Sequence, residues 1–169
     1  MARASKRVGR RGVACAVAIT AVGALALGAP AAGAKKQRTV SCTIHLLTQS
    51  FPTASAPGED FGFVDCSGPF GSGVQHDTFT LTPATATTGT AELRFKAFFD
   101  RGTVSGVWNA TYEFTSATEG TFLQTVTWTG GTGAFKHVRG TGTGTGQQSG
   151  NQGTITQTVA VTGLRGKKK

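Results

Sequence analysis

A chain of 169 residues with a formal charge of +9 invites a nucleic-acid-binding reading, and the placement of its charges removes it. Residues 39–164 carry five basic side chains (Arg94, Lys96, Arg101, Lys136 and Arg139) against all eight acidic ones, a net of −3, while the other cations lie at the two ends. Recognition of nucleic acid needs Lys and Arg interleaved with aromatics on one face of a fold, so no nucleic-acid partner is expected.

The N-terminal cations Arg3, Lys6, Arg7, Arg10 and Arg11 precede an apolar run from Val13 to Leu27, and Ala32-Gly33-Ala34 follows. A charged segment, an apolar segment and a small-x-small site make a bacterial-type secretory signal over residues 1–34, with cleavage expected after Ala34. The apolar run is shorter than the roughly 20 residues that cross a bilayer, so no membrane span is expected in the mature protein. Cys15 stands at the start of that run rather than its end, which excludes a lipoprotein signal. Arg10-Arg11 matches the pair of a twin-arginine signal, but Gly12-Val13-Ala14 continues it poorly.

Cleavage leaves 135 residues, enough for one domain that buries about two-thirds of its unfolded surface. Residues 35–60 read as a basic N-terminus, a first strand and a Pro/Ser/Ala loop; residues 61–164 read as the rest of the domain, and 165–169 as a basic tail. Such tails suit loose attraction to anionic lipid or wall polymer. Two cysteines remain, Cys42 and Cys66, and an exported chain with one thiol pair is expected to oxidise it. Neither CxxC nor HxxxH spacing occurs, so no metal site and no cofactor are expected.

Apolar residues recur at every second position, the period of half-buried strands. Val40, Cys42, Ile44 and Leu46 share a face of the first strand, and a loop from Gln49 to Gly58 follows. Residues 61–66 form a short second strand, SGPFGSG turns the chain, and residues 77–82 set Phe79 and Leu81 against threonines. The face Leu93, Phe95, Ala97, Phe99 comes next, then Trp108, Ala110, Tyr112, Phe114, then Phe122, Gln124, Val126, Trp128. Ala134 to Gly146 reads as a seventh strand, and Ile155, Gln157, Val159 and Val161 face inward from an eighth. The fold class is therefore all-β. Eight antiparallel strands can close into a single barrel, which removes exposed edges, with an open sandwich as the alternative.

The stretch TWTGGTGAFKHVRGTGTGTG, residues 127–146, contains no Walker motif, and its GxGxxG register fails at Lys136 and again at Thr145. A strand, a glycine turn and a second strand remain, with Gly140, Gly142, Gly144 and Gly146 leaving one face bare for large neighbours such as Trp128 or Tyr112, or for a ligand. GGTGAFKHVRGTG resembles the GGTG-x-[FY]-x-x-A-x-G signature of dirigent proteins and allene-oxide-cyclase-like barrels. Gly130, Gly131, Thr132, Gly133, Phe135, Arg139 and Gly140 match, Val138 replaces the usual alanine, and His137 stands where a small residue is usual. The resemblance covers about residues 91–163. It implies a calycin-like eight-stranded antiparallel barrel, a homo-oligomeric state and a lumen for small hydrophobic molecules. Plant members guide phenoxy-radical coupling or cyclise an unsaturated epoxide, but the motif shapes a turn and carries no catalytic residue across.

Gln124 and Gln157 interrupt apolar faces, and a buried amide needs partners. With Tyr112 and Trp128 they are the candidate ligand-binding residues; bonding between the two glutamines and core packing of the two rings are the structural alternatives. His45, His76 and His137 lack ligand spacing, no GxSxG elbow occurs, and Glu113 and Glu119 face outward, so the catalytic residues are unassigned. The expectation is an exported binder of a small apolar molecule, without catalysis. A cyclase or isomerase using the same lumen is the first alternative, and a filled cell-envelope barrel is the second.

Overall fold

The computed structural model describes residues 36–164, so the signal-like segment 1–34 and the tail 165–169 lie outside the described residues. Eight strands occur in chain order: β1 Arg38–Ser50, β2 Gly58–Cys66, β3 Gly71–Pro83, β4 Thr88–Phe99, β5 Gly102–Phe114, β6 Glu119–Gly131, β7 Arg139–Ser149 and β8 Gln152–Thr162. Each pairs antiparallel with the next and β8 pairs with β1, closing an up-and-down barrel. Every backbone ladder is then satisfied without an edge.

The expected inward faces are the observed ones. Val40, Cys42, Ile44, Leu46, Phe95, Ala97, Phe99, Trp108, Val126, Ile155, Val159 and Val161 are buried, and their sequence neighbours point to solvent. The outer wall over β6, β7, β8 and β1 is a hydroxyl lattice in which Thr125, Thr143, Thr158 and Ser41 stand side by side. The strands run longer than the apolar alternation implies, because Gly and polar residues continue the extended backbone at both ends of most of them.

Two corrections concern residues 134–146. Ala134 to Val138 is not strand: Gly133–Phe135 forms a single 3-10 turn and β7 begins only at Arg139. This segment drives Phe135 and Val138 into the barrel end, both completely buried. Phe135 stacks on Phe70 at 4.5 Å, and Phe70 meets Trp128 edge-on at 5.2 Å and Phe99 at 5.7 Å. Phe70 itself belongs to the turn after β2, where Gly68 (φ 74°) and Gly71 (φ 68°) take the left-handed angles that let the ring fold inward. This end is plugged with aromatic side chains.

The second correction concerns the bare face of β7. It points inward and is filled, but not by the expected rings: a Cβ on Gly140 would lie 2.9 Å from Val159 Cγ1 and from Val161 Cγ1. A Cβ on Gly144 would lie 2.7 Å from the Thr156 carbonyl oxygen and 2.9 Å from both Gln124 Nε2 and Gln157 Cβ. The side chains of β6 and β8 therefore lean over β7 and close the space that its glycines leave. Trp128 lies beside Gly140 in the ladder, yet its ring belongs to the plugged end.

The Cys42–Cys66 disulfide is present and joins two residues directly opposite each other on β1 and β2. It closes a loop of 24 residues in sequence separation, which in the chain-entropy account stabilises the fold by roughly 3–4 kcal/mol. The Cys42→Ala/Cys66→Ala double variant should lose about that much in urea denaturation; a loss below about 1 kcal/mol would show that the sheet holds this corner unaided. Gly144→Ala should cost about 1–3 kcal/mol through overpacking. Gly153→Ala, whose Cβ would meet nothing nearer than Gln148 Oε1 at 3.4 Å, should instead gain about 0.4–1 kcal/mol from the stiffer unfolded chain. The same denaturation series reads both.

Candidate functional site

The two ends of the barrel differ. Opposite the aromatic plug, the strand ends around Thr48, Asp60, Leu81, Phe114, Phe122 and Gly153 enclose a cavity of about 60 Å³ at the mouth of the lumen. Its wall is mostly apolar, with Leu46, Phe79, Leu81, Ala91, Leu93, Ala110, Phe114, Phe122 and Ile155 supplying the larger part of it. Short side chains at Ala91 and Ala110, and none at Gly153, leave the space open, since an eight-stranded barrel is only just wide enough for its own side chains. Phe51, from the loop 51–57 between β1 and β2, lies over the rim and meets Phe79 edge-on at 6.5 Å. Its own ring is 57% exposed.

Polar groups enter this wall at few places. Thr48, Asp60, Gln124, Gln147 and Gln148 line the cavity. Gln148 Nε2 donates to the Gly150 carbonyl at 2.8 Å, which fixes it to the β7–β8 turn. Asp60 is buried, and so are Gln75 and Asp77 on β3. Asp60 and Asp77 are direct cross-strand partners. Gln75 Nε2 donates to Asp77 Oδ2 at 3.0 Å. Asp60 Oδ1 and Asp77 Oδ1 have no hydrogen-bond partner among the described residues. Burial holds the carboxyl of Asp77 well above the usual aspartate range, against the hydrogen bond from Gln75 and with further help from the charge of Asp60. Burial raises Asp60 too, and its hydrogen bond with Thr48 works against that rise.

The four residues picked from the sequence all project inward but do not gather at one point. Gln124 lines the mouth cavity, with its Nε2 lacking an acceptor. Gln157 is buried two strands further round, opposite Cys42 and Gly144, with its Oε1 lacking a donor. Gly144 separates the two glutamines in the ladder. Tyr112 packs at the mouth end against Phe114 at 5.2 Å, over Gly89, which pairs with it. Trp128 belongs to the plugged end. Neither ring lines the mouth cavity. Of the glycine motif, Phe135 enters the plug, Thr132 is exposed and bonds Thr103, and the side chain of His137 is exposed.

Sequence reasoning missed the two aspartates. Asp77 shares parity with Phe79 and Leu81, so the alternation that sets those residues inward sets Asp77 inward too, but a charged residue at the first position of a strand over 77–82 does not stand out as buried. Asp60 shares parity with Val64 and Cys66, but a strand begun at Phe61 leaves it outside. Also missed was an apolar stripe on the outer wall. Phe63 (69% exposed), Val74 and Phe98 stand side by side across β2, β3 and β4, and Phe61 stacks on His76 at 4.4 Å beside them.

No family model, curated protein or solved structure matches the chain.

The buried carboxyls carry a pH consequence whose sign is fixed. Asp77 holds its proton more tightly in the folded barrel than in the unfolded chain, whose value is near 3.8, so the native state binds more protons above that pH. Its contribution to stability is complete below about pH 4 and is lost as pH rises through the folded value. Thermal melts from pH 4 to 8 should show stability falling with pH. Asp77→Asn, which keeps the acceptor for Gln75, should flatten that slope and stabilise the barrel at neutral pH; an unchanged slope would mean that Asp77 is ionised in the fold.

Proposed function

We propose that this chain is an exported barrel that holds one small apolar molecule at the mouth of its lumen without transforming it. The observation that carries the reading is the asymmetry of the interior. One end is packed solid with aromatic rings, while the other keeps an apolar, phenylalanine-rimmed cavity with a few convergent polar groups, the usual character of a small-molecule site. Export is supported by the disulfide, a bond kept in oxidising compartments, and by the signal-like residues 1–34. Among the described residues no helix is long and apolar enough to cross a membrane.

The likeness of the glycine motif to allene-oxide-cyclase and dirigent barrels is part of the same proposal, and with it the homo-oligomeric state of that family. The closed eight-stranded antiparallel sheet accords with it. A second reading, a cyclase or isomerase, draws on one specific observation. The paired Asp60 and Asp77 are buried carboxyls whose proton affinity is raised beside the cavity, the kind of group that exchanges a proton with a bound intermediate. A filled envelope barrel fits the plugged end but leaves the mouth cavity without a use.

The decisive variant is Gly153→Leu, because Gly153 borders the cavity and a Cβ there meets only ordinary contacts. In the wild-type barrel, a small apolar alcohol at 100 times its Kd should stabilise the fold by about 2.7 kcal/mol, read as a rise in melting temperature. Gly153→Leu should fold and lose that rise. Retention of the rise in the blocked variant would place the ligand elsewhere.

A further inference from the structure

Asp60 is 6% exposed and Asp77 fully buried, they face each other across β2 and β3, and an oxygen of each finds no donor. The strands that line the same cavity bring Thr48, Leu93, Gln124 and Ile155, none of which titrates. The neighbouring acids Glu59 and Asp65 are exposed on the outside, and no Lys, Arg or His among the described residues is buried. An acidic pair in an apolar wall is therefore left without a cationic side chain. Gln124, 5% exposed and lining the same cavity, has an Nε2 with no acceptor, an independent sign that the wall is built to meet a polar group; turned over, the same amide offers its Oε1 to a donor.

Two carboxyls this close in a low dielectric do not both ionise readily. They titrate as a unit and hold back a proton. A cation delivered on an apolar carrier resolves the mismatch, because a buried charge is tolerated when it is paired and hydrogen-bonded. A neutral alcohol offers one donor and no charge, and a carboxylate adds a third negative group.

We propose that the mouth cavity selects a small apolar amine in its protonated form, with the ammonium donating to Asp60 and offsetting one of the two charges of the ionised Asp60–Asp77 pair while the hydrocarbon lies among Phe79, Phe114 and Phe122. The inference rests on the lumen being a binding site and adds the chemistry of the head group. A volume of about 60 Å³ takes about four to six water-sized units at roughly 10–15 Å³ each, so the cavity accepts the ammonium and the first few carbons. A longer tail then runs out under Phe51. The bound ammonium favours the ionised pair, so binding discharges the proton that the pair retains. Affinity rises with pH until the free pair has itself given up that proton, and falls once the amine loses its own near 10.4, the value of a lysine side chain.

Calorimetric titration of the mature barrel with n-hexylamine, n-hexanol and hexanoate at pH 7, in two buffers of different ionisation heat, tests this. Hexylamine is expected to bind at least tenfold more tightly than hexanol, with proton release, and hexanoate not at all. Asp60→Asn should abolish the preference for the amine and keep hexanol binding, and Gly153→Leu should lose the amine. Hexanol or hexanoate binding as tightly as hexylamine would overturn the head-group assignment while leaving the lumen as an apolar site. No binding by any of the three would overturn both readings. An unchanged amine preference in Asp60→Asn, or in Asp77→Asn should Asp60→Asn fail to fold, would also overturn it, as would amine binding that survives Gly153→Leu.

Discussion

An eight-stranded sheet closed on itself leaves an interior about as wide as the side chains that fill it, and the rest of this molecule follows from how that narrow volume is shared. Closure satisfies the backbone ladders without edges. Half of each strand's residues are then committed to one enclosed space. Every inward group must find either apolar contact or a polar partner within it, since burial without one is costly.

The chain meets this constraint differently along the barrel axis. Towards the plug it uses large rings, Phe70, Phe99, Trp128 and Phe135, carried on turns as well as strands. Towards the mouth it uses smaller groups, Ala91 and Ala110, and leaves room. Buried polar side chains occur on β2, β3, β6 and β8. The disulfide stands nearer the plug, at the end of β2. At the mouth, β1 has an irregular register between Thr48 and Ser50 and gives way to an open loop. Rigidity and access are thereby assigned to opposite ends of one sheet.

Much of this arrangement was legible from alternation alone. The inward parity of β1, β4, β5, β6 and β8 follows from residues such as Ile44, Phe95, Trp108, Val126 and Val159, because a side-chain period of two leaves only one way to bury them. The plug was not legible: Phe70 and Phe135 sit in glycine-rich turns, and periodicity says nothing about where a turn folds its ring. Nor did alternation reveal that Asp60 and Asp77 face each other, since register between strands depends on turn geometry and bulges that a single strand does not encode. Gln124 and Gln157 were recognisable as inward amides, but that one borders the mouth and the other does not is a property of barrel depth.

The glycine face of β7 has a consequence for how such a barrel can diversify. Along β7 the wall is one backbone thick on the inside, and the side chains of its neighbours already occupy the space above it. From Gly140 to Gly146 the inward positions of that strand hold no side chain to shorten, and one added at Gly144 must displace backbone. In a closed ring of eight, the strand directly across is β3, which carries Gln75, Asp77, Phe79 and Leu81. Descendants of this sequence that change the size or polarity of the guest must therefore write the change on β3 and its flanks, leaving β7 as the fixed side of an adjustable mould.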